Sequence, residues 1–118
     1  IFSFWKAAVT ELAQCENVVA KLGGLVMPIN GFGFHKAAEP ASSKALESTT
    51  RDYYLHMIEQ FGVGRCMFES NFPVDKVSYS YNILYNAFKI FSKDYTPTER
   101  ALMFRDNAID IYSVDESL

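Results

Sequence analysis

Apolar residues recur along most of this chain at helical spacing, and the breaks in that rhythm mark its elements. Phe2, Trp5, Val9, Leu12 and Ala13 share one stripe, which predicts an amphipathic helix over residues 2–14 that Glu16-Asn17 ends. Val18-Val19-Ala20-Lys21-Leu22 is a β-branched run closed by Gly23-Gly24 and reads as a strand. Residues 26–43, VMPINGFGFHKAAEPASS, follow neither period and predict a long loop. Structureless loops beyond about 12–15 residues are uncommon in compact domains and usually have a function or are disordered. Leu46, Thr50, Tyr53, Tyr54, Met57, Ile58 and Phe61 restore the 3.6-residue register over 43–61, with Gly62 placed to stop the helix.

Cys66-Met67-Phe68 then forms a short apolar run, as expected of a strand covered on both faces. A third helix is predicted over 77–92, with Tyr81, Leu84, Tyr85, Phe88 and Phe91 inward. Thr96-Pro97-Thr98-Glu99 combines a capping box with proline at the first helical position and starts a fourth helix, reaching about Tyr112. Strands alternating with helices indicate an α/β class built from parallel β/α units. Two parallel strands alone leave faces and edges open. Further strands are therefore expected, from a second copy or from a longer protein of which this chain is a part. The start at Ile1 rather than Met fits the second of these.

Composition narrows the class. The 118 residues are 49% hydrophobic and carry a net charge of −3, which suits one domain and offers no basic stripe for nucleic acid. No apolar run approaches the roughly 18 residues of a membrane helix. IFSFWKAAVTEL lacks the basic leader and cleavage site of a signal peptide, so a cytoplasmic setting is expected. Cys15 and Cys66 both sit in apolar stretches and read as reduced, buried thiols.

The chemistry is expected where the second strand runs out. After Phe68 come Glu69, Ser70 and Asn71, three polar residues before Phe72-Pro73. In parallel β/α folds the carboxyl ends of the strands carry the site. Gly23, Gly24 and the NGFGFH loop occupy the same position on the first strand. The alternative is that Glu69 to Asn71 only cap a strand-to-helix turn.

RCMFESNFPVDK followed by SYSYNILYNAFK resembles the final barrel strand and helix of the amidohydrolase-related (amidohydrolase 2) family, TIM-barrel metal-dependent hydrolases, the lactonase-like branch above all. NVVAKLGGLVMPINGFGFH resembles the strand and loop before it. The resemblance runs from about Trp5 to Tyr112. It implies the C-terminal portion of a single (β/α)8 barrel domain, about its last two β/α units plus a terminal helix. It also implies hydrolysis of a lactone or similar carbon–oxygen or carbon–nitrogen bond, with a divalent metal such as zinc in the complete enzyme and a small-molecule substrate.

The family ends this strand in an aspartate that takes the proton from the attacking water. Asn71 stands there, and an amide is no general base. Asp75, four residues on and past Pro73, either stands in for it or simply begins the next helix. Glu69 shares a strand face with Asn71 and either acts in the site or pairs with a neighbouring base. The catalytic candidates are thus Asn71, Glu69 and Asp75, and no metal ligands are assigned. Lys21, a charge inside an apolar strand, where burying it unpaired costs several kcal/mol, reads as a substrate-binding lysine or as a lysine reaching past the strand end to solvent. Ser70 and His35 complete the substrate-binding candidates. His56, among Tyr53, Tyr54 and Met57, reads as structural. A decarboxylase of the same family and a non-catalytic α/β module that binds a small molecule or a partner remain as other readings. The 118 residues alone are expected to be inactive and to associate, with one another or with the missing barrel portion.

Overall fold

The computed structural model describes residues 1–117. It is a mixed helix–strand structure in the order α1 (Phe2–Ala13), β1 (Ala20–Leu22), α2 (Ser43–Phe61), β2 (Cys66–Phe68), α3 (Tyr81–Phe91), α4 (Pro97–Ala101) and α5 (Asn107–Tyr112). β1 and β2 are hydrogen-bonded neighbours in a two-stranded sheet. Among the described residues no helix is long and apolar enough to cross a membrane.

The chain divides into two compact units. The first holds Ile1–Lys21, Tyr53–Phe68 and the chain from Tyr95 onward. Its core is Ala13, Ala20, Tyr54, Ile58, Phe61, Cys66, Met67, Phe68 and Met103. Phe68 meets Phe104 with ring centroids 4.7 Å apart. The helix expected from Thr96 does begin on a complete capping box, in which Thr96 and Glu99 satisfy each other's backbone N–H groups. It is not uniform, however: a π turn over Leu102–Asp106 separates α4 from α5. Directly after it, Asn107 is buried and its Nδ2 donates to the carbonyls of Val63 (2.7 Å) and Cys66 (2.8 Å). His56 is structural as expected: it is 7% exposed, with Nε2 3.1 Å from the Lys6 carbonyl and 3.3 Å from Thr10 Oγ1.

The second unit holds Leu22–Asp52 and Glu69–Asp94. Leu22, Val26, Leu46, Tyr79, Leu84, Ala87, Phe88 and Phe91 form its core. Residues expected as one loop contain two 3-10 turns, Pro28–Asn30 and Phe34–Lys36. The third helix starts later than its periodicity suggested. Val74–Val77 is a 3-10 turn, and α3 opens at Tyr81 because Ser80 caps it through the Ile83 N–H.

Two burial expectations are corrected, for Cys15 and Tyr81, and Lys21 is placed on the solvent side of its strand. Cys15 is exposed, since it follows the end of α1 in a turn. Lys21 is also exposed: β1 is only three residues long and alternates buried, exposed, buried. The period of two turns Ala20 and Leu22 inward and Lys21 outward, so its charge carries no burial cost. Tyr81, expected inward, is 49% exposed.

The two thiols therefore differ. Cys66 is fully buried, and that burial pushes its thiol from 9.0 up to about 12, against a smaller lowering by the Arg65 charge. Thiolate is the reactive form. At pH 8 a thiol reagent is expected to modify Cys15 at once in the native chain and Cys66 only after denaturation. Rapid loss of both thiols from native protein would contradict this burial. The sign of the linkage also follows. A thiol harder to ionise in the folded state adds stability below the unfolded value, and that stability drains away as pH rises from about 9 through about 12.

Candidate functional site

Beyond Phe68 the ladder continues for one more bond, from the Glu69 N–H to the Leu22 carbonyl (3.2 Å). Gly23 is needed directly beside it. A Cβ built there would lie 2.5 Å from the Glu69 carbonyl oxygen, 2.6 Å from its Cγ and 2.8 Å from its Oε1. Glu69 thus lies across a backbone that has no side chain to offer. Gly24 follows with φ +67°, the left-handed region that glycine enters without strain. Asn71 Cβ approaches the space above it at 3.9 Å. Asn30 fastens this turn through Nδ2, which donates to the carbonyls of Gly24 (3.2 Å) and Leu25 (2.7 Å).

Gly23→Ala is accordingly expected to destabilise the fold by about 2–3 kcal/mol, because the obstacle at 2.5 Å is backbone and cannot rotate away. A denaturant midpoint unchanged from wild type would show that the Gly23–Glu69 approach is looser than described.

Asn71 and Asp75 close a turn on each other. The Asn71 N–H donates to Asp75 Oδ2 (2.9 Å), and the Asp75 N–H donates to the Asn71 carbonyl (3.2 Å). Asp75 is 1% exposed, and its second oxygen, Oδ1, is buried without a hydrogen-bond partner. The Asn71 side-chain nitrogen sits 2.7 Å from Met27 Sδ, a weak acceptor.

Beside the strand end stand two tyrosines from the first turns of α3. Tyr81 and Tyr85 stack at 4.5 Å, and Phe72 meets Tyr81 edge-on at 5.5 Å. Burial pushes the Tyr85 phenol from 10.0 up to about 12, helped by a hydrogen bond with Tyr81 and by the Glu69 charge, while a hydrogen bond with Ser70 pulls the other way. Tyr85 is thus a neutral hydroxyl at physiological pH, tied to Ser70 and within the field of Glu69.

The structure brings together four of the six residues singled out in the sequence: Glu69, Ser70, Asn71 and Asp75. Lys21 lies one residue before the Leu22 carbonyl that Glu69 meets, exposed on β1. His35 lies in the Phe34–Lys36 turn, half-buried, with Nδ1 buried and unpartnered. Sequence reasoning missed Tyr85 and Tyr81 as site neighbours, taking them as helix packing. Their spacing of four residues at the start of a helix that follows the polar strand end was the available signal. A divalent ion takes three or more such ligands. Among the described residues, no group of three or more His, Cys, Asp and Glu side chains is placed to hold a metal, so these residues alone do not fit one.

A protein-family model described as amidohydrolase matches residues 2–114. The chain belongs to the amidohydrolase family. It is 37% identical over 113 residues to an uncharacterized protein, y4mH, of Sinorhizobium fredii, a match that covers 96% of this chain and 34% of that protein. Crystal structures of an amidohydrolase from Burkholderia multivorans, one with bound zinc and one with bound HEPES, superpose with a TM-score of 0.80 at 24% identity. They cover 94% of this chain and 37% of theirs. The amidohydrolase chain thus spans about a third of the length of the relatives it matches, and at that identity the solved structures speak for the fold alone.

Proposed function

We propose that this chain is the C-terminal portion of a (β/α)8 amidohydrolase that hydrolyses a lactone or a similar carbonyl–oxygen or carbonyl–nitrogen bond, with the end of β2 as part of its active site. The observation that carries the reading is the convergence of Glu69, Ser70, Asn71 and Asp75 at one strand end, beside two consecutive glycines. Coverage of about a third of two relatives supports the portion of a barrel.

In this reading Glu69 accepts the proton of the attacking water. It is the half-buried carboxylate of the pair, and its backbone is pinned by Leu22. Asn71 orients the carbonyl or the water with its amide, since it has no basic lone pair for proton transfer. Asp75 acts first as a positioning residue. Its Oδ2 fixes the Asn71 backbone, and its unpartnered Oδ1 is a second acceptor for a displaced proton. Ser70 and the neutral Tyr85 hydroxyl supply donors for the oxygen that develops charge. Lys21 and His35 line the approach of substrate. A divalent metal such as zinc would polarise the carbonyl or the attacking water in the complete enzyme, with ligands beyond these residues completing its shell.

Turnover of a panel of lactones, esters and amides in heavy-oxygen water tests the reaction class. The full-length protein is expected to release an acid carrying one labelled oxygen. A product that has lost carbon dioxide would replace hydrolysis by decarboxylation, and tight binding without turnover would favour the binding module. The 118 residues alone are expected to be inactive and self-associating, with Phe4 at 81% and Ile29 at 86% exposed. Turnover by a monomeric 118-residue chain would sink the fragment part of the reading.

A further inference from the structure

The direction of one side-chain contact decides what the Asn71 amide can do. Its Nδ2 lies 2.7 Å from Met27 Sδ. A thioether has no hydrogen to donate and is a weak acceptor. Turning the amide over would press Oδ1 against that sulfur, two acceptors with no hydrogen between them. The nitrogen therefore belongs on Met27 and the oxygen on the opposite side. Among the described residues nothing donates to that oxygen, and Asn71 is half-buried rather than enclosed.

Both partners are delivered by pinned turns within the second unit. Met27 closes the turn that Gly24 opens, its N–H donating to the Gly24 carbonyl at 3.2 Å. Asn30 Nδ2 holds the carbonyls of Gly24 and Leu25 in the same turn. The Asn71 backbone is tied to Asp75 in both directions. The bare side of Gly24 receives the two side chains together: a Cβ there would lie 3.5 Å from Met27 Cε and 3.9 Å from Asn71 Cβ. Asn71 is thus fixed at its backbone and at its amide nitrogen. Only its oxygen is unclaimed.

We propose that Met27 is a positioning residue of the strand-end site: it holds the Asn71 amide so that Oδ1 faces the ligand and accepts a hydrogen bond, in turnover from the attacking water. This rests on the hydrolase reading and chooses between the two roles given there to Asn71. Oδ1 has no hydrogen to give to a substrate carbonyl, but it accepts one from a water. That water passes one proton to Glu69 and keeps the other in its bond to Asn71, while its oxygen joins the carbonyl carbon.

Two substitutions in the full-length protein separate this role from packing. Met27→Leu keeps an apolar side chain of similar volume and has no acceptor, whereas Met27→Gln keeps an unbranched chain that ends in one. On a substrate from the panel, Met27→Leu is expected to lower kcat about three- to tenfold, the share of one neutral hydrogen bond, with KM within about twofold of wild type. Met27→Gln is expected to recover at least about half of that loss. If Met27 only filled space, the order would reverse, with leucine tolerated and glutamine impaired. The second readout needs no turnover. It is hydrogen exchange of the Asn71 side-chain amide, followed by NMR with isotope-labelled asparagine and assigned by the signal lost in Asn71→Ser. Exchange is expected to be at least about threefold faster in Met27→Leu than in wild type, and to slow again in Met27→Gln. Circular dichroism confirms that each variant is folded. Equal Asn71 exchange in wild type and folded Met27→Leu, or the reversed order of kcat, would each overturn the proposal. If the wild type turns over nothing in the panel, the hydrolase reading falls, and the exchange rates alone decide whether Met27 holds the amide.

Discussion

Arg65→Ala is expected to lower the stability of the fold by about 2–4 kcal/mol, the largest loss from any single side chain of the first unit outside its apolar core. The guanidinium ties three segments together. Nη2 donates to the Ala13 carbonyl (2.8 Å), Nη1 to the carbonyls of Cys15 (2.9 Å) and Val18 (3.1 Å), and Nε to Phe61 (3.0 Å). Ala13 ends α1, and Cys15 and Val18 lie on the link to β1, so one planar fork satisfies carbonyls that no helix or strand can reach. Its charge also lies over the Phe61 ring at 5.1 Å. Removing it leaves the Ala13, Val18 and Phe61 carbonyls without the guanidinium, and the turn that delivers β1 to the sheet keeps only the bond from the Val18 N–H to the Cys15 carbonyl. Arg65→Lys is expected to recover less than half of the loss, because an ammonium cannot span four acceptors in a fork. The check is the urea midpoint followed by circular dichroism. A loss under about 1 kcal/mol would mean that water replaces the guanidinium without penalty.

Arg65 also shows what a sequence hides. Nothing in RCMF tells that the arginine before the strand closes the turn after α1, about fifty residues away, because such contacts have no local period. The helices were legible for the opposite reason. Leu46, Thr50, Tyr54 and Ile58 repeat every four residues, and each is buried. Ser80 and Thr96 carry cap chemistry that is written locally, yet the later start of α3 was missed, since Val77 and Tyr81 keep apolar spacing through a 3-10 turn. Lys21 went the other way. Its run of apolar neighbours suggested burial, while a strand of three residues simply alternated it outward. At the strand end, the chemistry of Glu69, Ser70 and Asn71 was plain from their polarity. Their fastening was not: the bare backbone of Gly23 under Glu69, and the reciprocal bonds between Asn71 and Asp75, exist only once the chain has folded.

The hydrolase reading turns on one carboxylate. Glu69→Gln keeps the size and the hydrogen-bonding backbone of the side chain and removes its basicity, so the fit over Gly23 is preserved while proton transfer is lost. General-base catalysis contributes about 10²–10⁴-fold, which sets the expected fall in kcat/KM. Asp75→Asn separates the two acids. The amide oxygen can still accept the Asn71 N–H, so the turn survives and the fall is expected to be about tenfold or less.

The measurement to make is therefore kcat/KM of the full-length Glu69→Gln protein on the substrate that the panel identifies, with the denaturant midpoint read on the same sample. A loss of at least about a hundredfold at unchanged stability is the predicted result. A folded variant that turns over within about twofold of wild type would contradict the assignment of the β2 strand end as the site of water activation.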